Sequence, residues 1–341
     1  MSAPLSSVIV VNWNGKEYLK DCLASLRLQT FRDFEIVLVD NGSTDGSIES
    51  VQSLFPKLGS ILRHSRNLGF AEGNNTGIRI ARGKYIALLN NDAQADAHWL
   101  EELMHTAEED RQVGMWASKI YLQGLPQIID NVGHLIYPDG LNRGRGRLEK
   151  DQGQYDQKEE ILFPSGCAAM YRREMLEEIG LFDEDFFAYG DDTDIGLRGR
   201  LAGWKCLYVP TAIVYHRYSQ SSGAYSPLKA FYVERNRVWI AVKYFPLSIL
   251  FKSPFYTLWR LLLQGYGALT GRGAAGKFSR KYSNFHLLSV FIKAYRSAIQ
   301  GLPRMWEKRK EAKRITRVSQ EEIRSWFIRF GISAREISWK E

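Results

Sequence analysis

Polar side chains follow an apolar stretch in the first third of the chain, and their types suit cation or hydroxyl binding. Asn90, Asn91 and Asp92 come directly after Tyr85–Leu89, which predicts a strand buried on both faces. In open α/β sheets, ligands bind beyond the carboxyl ends of the strands. A carboxylate and two amides at such an end can hold a divalent cation or a ribose hydroxyl. The alternative is that these residues only turn the chain, since Asn and Asp favour turns.

A second carboxylate, Asp40, follows the apolar run Phe34–Val39 in the same way. It is suited to accept hydrogen bonds from a base N–H or a sugar hydroxyl, although an isolated Asp often only caps its own turn. Neither Gly-x-Gly-x-x-Gly nor Gly-x-x-x-x-Gly-Lys-Ser/Thr follows the predicted strands. The pattern therefore disfavours a Rossmann dehydrogenase and a P-loop NTPase.

Acidic residues lie among aromatic residues from Phe182 to Asp194, immediately before a predicted helix over Ile195–Ala202. The helix dipole would favour Asp191 and Asp192 as anions near its N-terminus. Adjacent acids with aromatic neighbours can have their pKa values pushed apart, as a general base requires. The alternative is an acidic helix start without chemistry, which is our interpretation of Asp194.

His216 ends the apolar run Ala212–Tyr215 and precedes the polar loop Tyr218–Gly223. Its position resembles that of Asp92, which also follows an apolar run. A lone His is more often structural than a ligand, so both interpretations of His216 stay open on this pattern.

Alternating strand and helix patterns would position these side chains. They predict a mostly parallel sheet with helices on both faces. The predicted strands cover residues 7–11, 34–39, 60–63, 85–89, 161–163 and 205–209, and the predicted helices cover residues 16–29, 47–54, 93–110 and 173–179. The weaker pattern over Ile120–Glu160 predicts a loop.

Charge divides the 341 residues into two parts. Residues 225–341 carry 23 Lys and Arg against 7 Asp and Glu, whereas residues 1–224 carry 23 against 31. This division predicts two domains, 1–224 and 225–341, with different partners. Three cysteines without metal-ligand spacing predict no disulfide framework and favour a reducing cytoplasm. Residues 1–7 lack a basic region followed by an apolar stretch, so we expect no signal peptide.

The basic C-terminal part is also rich in Trp and Tyr. Within its most apolar region, the longest uncharged run is Leu261–Gly271, with 11 residues, whereas about 20 are needed to span a bilayer. This pattern predicts helices that lie on an anionic membrane surface. The alternatives are a helical subdomain with a solvated basic face and nucleic-acid binding, for which no motif appears.

Taken together, several stretches resemble family 2 glycosyltransferases with the GT-A fold, within the bacterial rhamnosyltransferase-like group. They follow one another in the family's order over residues 7–222, about two thirds of the chain. The matching stretches are Val10–Gly15, Val39–Ser47, Asn67–Asn75, Leu88–Asp92, Phe182–Asp194 with Arg198, and Gly203–His216. The resemblance implies the GT-A nucleotide-diphosphosugar transferase fold for residues 1–224, and the composition of residues 225–341 predicts a helical, membrane-associating region after it.

The resemblance also implies residue roles. On the catalytic side, Asp192 would be the base that deprotonates the acceptor, while Asp92 and His216 would bind Mn²⁺ or Mg²⁺ between the donor phosphates. The sequence has Asn90 where the Asp-X-Asp motif has its first Asp, and Asp191 where many members have Glu. The donor-binding residues implied are Asn12 and Asp40 near the base, Asn67 and Gly69 along the nucleotide, Asn74 near its sugar, and Asn90 and Asn91. The acceptor side would include Asp191 and Trp204.

These roles describe an inverting hexosyltransferase. It would move a sugar, with rhamnose as one candidate, from a dTDP- or UDP-linked donor to a lipid-linked glycan in cell-wall or O-antigen synthesis. We expect it at the cytoplasmic face of the cell membrane as a peripheral protein that binds no nucleic acid. The alternative is a non-catalytic nucleotide-sugar binding module with the same fold, against which the set Asp92, Asp192 and His216 argues.

Overall fold

The structure, a computed structural model, describes residues 3–56, 58–217 and 226–340, without the side chain of Asn284. The chain forms two compact units. The first unit comprises Met1–Gly133, Gly144–Arg200 and Trp204–Ser221, and the second unit comprises His134–Arg143, Leu201–Gly203 and Ser222–Glu341. The predicted boundary at residues 224 and 225 and the predicted loop Tyr218–Gly223 lie outside the described residues.

Twelve strands occur in the described residues. They are β1 (Ser6–Asn12), β2 (Phe34–Asp40), β3 (Ser60–Arg63), β4 (Tyr85–Leu89), β5 (Ala93–Ala95), β6 (Val113–Leu122), β7 (Leu125–Asn131), β8 (His134–Ile136), β9 (Asn142–Gly144), β10 (Glu159–Ile161), β11 (Ala168–Arg172) and β12 (Lys205–His216).

The α-helices of the described residues number thirteen. They are α1 (Leu19–Arg27), α2 (Ser47–Leu54), α3 (Gly69–Ile80), α4 (Trp99–Ala107), α5 (Arg173–Ile179), α6 (Asp191–Leu201), α7 (Pro227–Tyr244), α8 (Leu247–Leu250), α9 (Ser253–Thr270), α10 (Gly273–Lys281), α11 (Asn284–Ile315), α12 (Gln320–Arg329) and α13 (Ala334–Trp339). A 3₁₀ turn covers Glu184–Phe186.

The first unit is built on one sheet in the order β10-β12-β6-β11-β4-β1-β2-β3, with β5 beside β12 and β7 beside β6. Strands β1, β2, β3 and β4 pair in parallel, and so do β6 and β12. The antiparallel β11 separates β4 from β6, so these two run in the same direction. The carboxyl ends of β1, β2, β4 and β12 therefore lie at the same end of the sheet. The predicted mostly parallel sheet is confirmed.

Burial in the first unit follows the apolar pattern of the sequence. All five residues of β4 are buried, as are Val8 to Val10 in β1. On one face of the sheet, α4 packs Trp99 into the core, where its indole N–H donates to Ser118 Oγ at 2.8 Å. Such burial on both faces needs continuous apolar strands, which is why these strands could be predicted.

Two predicted elements of the first unit are wrong. The helix expected over Ala93–Asp110 begins only at Trp99, because Ala93–Ala95 pairs antiparallel with β12. The loop expected over Ile120–Glu160 contains all of β7, whose residues pair with β6. Pairing with a distant strand supplies the hydrogen bonds that a local pattern cannot reveal.

The second unit contains α7 to α13 together with the paired strands β8 and β9. The last residue of β9, Gly144, is assigned to the first unit. Helices α7 and α11 pack along each other, and α9 packs with α10 and α13. Four of its buried charged side chains pair with one another: Asp139, Glu234, Arg237 and Arg260. Within the described residues, no helix is both long and apolar enough to cross a bilayer.

Candidate active site

Asn12 and Asn91 connect the carboxyl ends of β1 and β4. Asn12 is fully buried, and its amide donates to Ser43 Oγ at 3.1 Å and Ser47 Oγ at 2.9 Å. The Asn91 amide donates in turn to Asn12 Oδ1 at 2.8 Å. Both side chains therefore hold the strand ends and the start of α2 in place, since buried amides must find partners.

Asp40 lies beside Asn12, because β1 and β2 pair these two residues. Its side chain is almost fully buried and accepts a hydrogen bond from the Ser43 N–H at 3.2 Å. Asp40 therefore stabilises the turn at Ser43, and the hydroxyl of Ser43 accepts the hydrogen bond from Asn12. Its role as a turn residue and a role in ligand binding are compatible, because a carboxylate can accept several hydrogen bonds.

The segment before α3 is shaped by Asn67 and Gly69. Asn67 Oδ1 accepts from the Gly69 N–H at 2.8 Å and from the Asn41 amide at 3.1 Å. Gly69 has φ of +87°, and a Cβ there would lie 2.4 Å from Phe187 O, so only glycine fits. Asn74, within α3, donates to Phe70 O at 2.9 Å. The bonds to the Gly69 N–H and to Phe70 O are local, and together with the bond from Asn41 they fix the backbone around Gly69.

Asp92 and His216, 124 positions apart, meet at the end of the sheet. Strand β5 begins directly after Asp92 and pairs Ala93 with His216. His216 Nε2 lies 3.3 Å from Asp92 Oδ1. That oxygen is buried, yet it accepts no hydrogen bond of acceptable geometry from the described residues. An unsatisfied buried carboxylate oxygen costs free energy unless another ligand satisfies it.

Asp130 is a site residue that the sequence reasoning missed. Its Oδ2 lies 2.7 Å from His216 Nδ1, and its other oxygen accepts from Arg147. A carboxylate on one ring nitrogen of His fixes the tautomer and orients the other nitrogen toward a metal. A signal existed, because Asp130 and Asn131 follow the apolar pair Ile128 and Ile129, just as Asp40 and Asn41 follow an apolar run.

The protonation of His216 reflects its acidic surroundings. Burial by itself lowers the pKa of His216, but Cys167, Asp130 and Asp92 outweigh burial and raise it well above the ordinary value. Burial raises the pKa of the Cys167 thiol. These neighbours favour the protonated imidazole over the neutral one, and a metal ion on Nε2 would take the place of that proton.

The residues at this end of the sheet fit a hard divalent cation. Among the described residues, no group of three or more His, Cys, Asp or Glu is arranged to hold an ion. Asp92 and His216 nevertheless present one unsatisfied buried oxygen and one imidazole nitrogen side by side. Mg²⁺ and Mn²⁺ accept such donors and commonly take their remaining ligands from substrate phosphates and water.

Asp191 and Asp192 occupy the first turn of α6, in different environments. Asp191 is buried, and burial together with the charge of Asp192 raises its pKa well above the ordinary value. Asp192 is half-buried, with Oδ1 accepting from the Thr193 N–H at 2.7 Å and Oδ2 lying 3.4 Å from the Gly166 N–H. Two neighbouring acids in unlike surroundings are what an acid–base role requires.

The loop before β11 connects Asp192 to the rest of the site. Cys167 O accepts from the Asn90 N–H at 2.8 Å, directly after β4. Gly166, the preceding residue, faces Asp192, and a Cβ on it would lie 3.6 Å from Asp192 Cβ and 3.1 Å from Phe70. Cys167 contacts Asn90, and its neighbour Gly166 contacts Asp192. Asn90 and Asp192 therefore lie at the same end of the sheet.

The chain immediately before α6 is strained. Phe187 and Tyr189 have φ of 63° and 65°, values that non-glycine residues rarely adopt. The carbonyl of Phe187 accepts from the Phe70 N–H at 2.6 Å, at the start of α3. Such strain persists only where the surroundings enforce it, and it is often found at functional sites.

Asp194 and Trp204 make contacts away from these acids. The Asp194 carboxylate pairs with Arg198 at 2.9 Å, and Arg198 also donates to Ile179 O at 2.7 Å. Trp204 donates to Glu178 Oε2 at 2.9 Å and lies just before β12 begins, whereas His216 ends that strand. The structure therefore does not bring Trp204 together with Asp92, His216 and the other predicted site residues.

Comparison with known proteins identifies the family. The sequence model of glycosyl transferase family 2 matches residues 7–180, half of the chain. The chain therefore belongs to this family, as the sequence motifs predicted. It is 29% identical over 245 residues to an N-acetylglucosaminyl-diphospho-decaprenol L-rhamnosyltransferase of Mycobacterium tuberculosis, covering 63% of this chain and 77% of the relative. It is 30% identical over 199 residues to the uncharacterized glycosyltransferase EpsJ of Bacillus subtilis, covering 57% and 55%.

Solved structures identify the fold. The mannosyltransferase PcManGT of Pyrobaculum calidifontis, in complex with GDP-Man and Mn²⁺, matches with a TM-score of 0.54 and 17% identity over 90% of this chain and 89% of its own. Residues 1–349 of S. aureus TarS, in complex with UDP, match with a TM-score of 0.52 and 18% identity over 97% and 90%. The predicted GT-A fold is confirmed.

Proposed function

We propose that this glycosyltransferase is a metal-dependent, inverting enzyme. It transfers a sugar from a dTDP- or UDP-linked donor to a lipid-linked saccharide. The observation that carries the proposal is the buried Asp92 oxygen that lacks a hydrogen bond and faces His216, at the end of the sheet where Asn90 connects to Asp192. That arrangement would combine a cation site with a carboxylate base, which are the two chemical requirements of the proposed reaction.

Asp92 and His216 would hold Mn²⁺ or Mg²⁺ through an oxygen and a nitrogen. The ion, when bound, offsets the charge that grows on the leaving diphosphate. Asp130 would orient His216 through Nδ1, and Arg147 would balance the charge of Asp130. His216 must lose its proton to act as a ligand, so metal binding should weaken as the pH falls.

Asp192 would accept the proton of the acceptor hydroxyl. A single carboxylate acting on the acceptor supports direct in-line attack at the anomeric carbon, and hence inversion. Burial and the neighbouring Asp192 raise the pKa of Asp191, which disfavours a second negative charge beside the proposed base. Positioning of the two substrates would supply much of the remaining rate.

The donor nucleotide would lie along the loops that follow β1, β2 and β4. Asp40 would accept from the base. Asn67 and Gly69 would shape the backbone beside the nucleotide, and Asn74 would support the start of α3 near its sugar. Asn12, Asn90 and Asn91 would also lie beside the donor, and the hydrogen bond between Asn91 and Asn12 would hold these loops in place for it.

The names of related proteins support the choice of substrates. One relative is a rhamnosyltransferase named for N-acetylglucosaminyl-diphospho-decaprenol, which is a lipid-linked sugar. We therefore propose rhamnose as the first donor sugar to test, a polyprenyl-diphosphate-linked acceptor, and work at the cytoplasmic face of the membrane in cell-surface polysaccharide synthesis.

The decisive test of the base is Asp192→Asn. Turnover should fall by about 10²–10⁴-fold, the usual range for a general base, while the donor dissociation constant changes little. Glu184→Gln is the matched control, since it removes an exposed carboxylate from the same loop. Donor affinity that fell as far as turnover would make Asp192 a binding residue. A wild-type protein that binds donor without transfer or donor hydrolysis would be a binding module.

The metal is tested with Asp92→Ala and His216→Ala. Each should reduce activity, and added Mn²⁺ should restore part of it because the remaining ligand and the donor phosphates still bind the ion. Proton NMR of the product's anomeric centre during the same assays would reveal inversion or retention. Full activity of both variants in EDTA would remove the metal from this mechanism.

A further inference from the structure

Helix α9 exposes its apolar side and buries the side that carries its one charged residue, Arg260. A helix that packs on a core and faces water does the opposite. Six large apolar side chains on it are 50–81% exposed: Phe255, Leu258, Trp259, Leu262, Tyr266 and Leu269. Their spacing of three, four and seven residues places them on one stripe about 100° wide. The opposite side of the helix buries Ser253, Arg260 and Gly267. Single exposed apolar residues need no explanation, but a continuous stripe does.

Helix α11 carries a second stripe of the same kind. Phe285, Leu288, Ile292 and Ile299 are each more than half exposed, at spacings of three, four and seven residues. The opposite side of α11 buries Val290, Ala294 and Ala298. We call the exposed apolar residues of α9 and α11 the apolar stripes.

The charge around the apolar stripes has one sign. From Arg235 to Trp306 the chain contains twelve Lys and Arg and no Asp or Glu. Several of these cations are exposed: Lys252, Arg272, Arg280, Lys281, Lys293, Arg296 and Arg304. Lys252 and Arg272 flank α9, and Lys293 and Arg296 lie on α11. Exposed aromatic and aliphatic side chains with basic neighbours are the composition of a helix that lies in an anionic membrane interface.

We infer that the apolar stripes of α9 and α11 are the surface by which the second unit docks on an anionic lipid bilayer. The rings and leucines enter the boundary between headgroups and acyl chains, and the exposed cations meet the headgroup phosphates. A second copy of the chain is a poorer occupant, because two faces with the same excess of cations would repel each other. The inference extends the proposed function by assigning the membrane contact to particular residues.

The test measures binding of the full-length protein to vesicles by sedimentation, without donor or metal. The vesicles contain phosphatidylglycerol and phosphatidylcholine in one arm and phosphatidylcholine alone in the other. Wild-type protein should bind the anionic vesicles, bind the neutral vesicles weakly and detach in part at high salt. The variant Leu262→Glu/Leu269→Glu should bind at least about tenfold more weakly, since it loses apolar burial and adds two like charges.

The matched control is Leu125→Glu/Ile328→Glu, which makes the same kind of change at two exposed apolar positions outside the stripes. It should bind anionic vesicles as the wild type does. Circular dichroism checks that both double variants stay folded, and sedimentation velocity without lipid measures their association.

Equal binding by both double variants would overturn the assignment, as would equal binding of wild type to neutral and anionic vesicles. A wild-type protein that ignores vesicles but dimerises through the stripes would make them a protein interface. Because no arm uses sugar transfer, failure of the docking surface would leave the proposed transferase reaction untouched. Failure of the transferase assays would likewise leave the vesicle result standing.

Discussion

Helix α4 in the first unit and α9 in the second unit use similar residues in opposite ways. Helix α4 buries Trp99, Leu100 and Leu103 in the apolar core. Helix α9 buries Arg260 and exposes Trp259 and Leu262. Hydropathy therefore determines which side of α4 faces the core. In α9, the side that faces the core is the one that carries the charge.

The reason for this difference lies in a buried ionic network of the second unit. Arg260 donates to Asp139 Oδ2 at 2.7 Å and to Glu234 Oε1 at 2.8 Å. Arg237 also donates to Glu234, at 2.7 Å, and to the hydroxyl of Tyr295. Two cations and two anions thus compensate one another in a buried environment. Such a network tolerates burial only when every member has partners.

The largest expected effect comes from Arg260→Ala. Removing the cation leaves two buried anions, Glu234 and Asp139, with Arg237 as their remaining buried cation, which costs about 3–5 kcal/mol. Hydrogen exchange should show the loss in α7 and α9, where the network lies. Arg280→Ala, at an exposed arginine of the same unit, should change stability by less than about 0.5 kcal/mol. An Arg260→Ala protein as stable as this control would mean that the network is dispensable.

The same leucine-to-alanine change in both helices sharpens the comparison directly. Leu103→Ala in α4 removes a fully buried side chain and should destabilise the first unit by about 2–5 kcal/mol. Leu262→Ala in α9 removes an exposed one and should change stability in water by less than about 0.5 kcal/mol. Denaturant unfolding in lipid-free buffer measures both. Similar losses would show that Leu262 is covered in solution.

Protonation of Glu234 at low pH should reduce the stability of the second unit. Burial alone would raise the pKa of this carboxyl, but Arg237 and Arg260 outweigh burial and lower the pKa to about 2. The stabilisation is therefore complete above the unfolded pKa of about 4.3 and is lost as the pH falls from there through about 2. It amounts to about 3 kcal/mol. Glu234→Gln should be less stable at neutral pH and should lack this part of the pH dependence in urea midpoints. An unchanged pH dependence would contradict the assignment.

The smallest effect is expected at the site, from Asp130→Asn. Loss of the charged partner on Nδ1 should weaken Mn²⁺ binding by about 10–100-fold, with the nucleotide affinity in the absence of metal unchanged. Calorimetric titration of Mn²⁺ in the presence of UDP or dTDP measures this change. Asp156→Asn is a control in the same unit, since Asp156 pairs with Lys119 instead. Unchanged Mn²⁺ affinity in Asp130→Asn would show that His216 needs no orienting carboxylate.

The sequence by itself determined the elements whose signals are local. Strands β1 and β4 follow from apolar runs that must be buried on both faces. Asp40, Asp92 and His216 could be selected as candidates because each ends such a run, and Asp192 because it begins a helix among aromatic residues. These inferences need only neighbours along the chain, so they survive without knowledge of the fold.

The tertiary structure decided everything that depends on distant partners. It formed β5 where a helix was expected, joined Asp130 to His216 across 86 positions, and set Trp204 at the far end of β12 from His216. It also turned Arg260 of α9 inward, toward Asp139, 121 positions away. The order of strands and the compensation of buried charges are properties of the assembled chain. No local pattern of α9 could therefore reveal which of its sides would be buried.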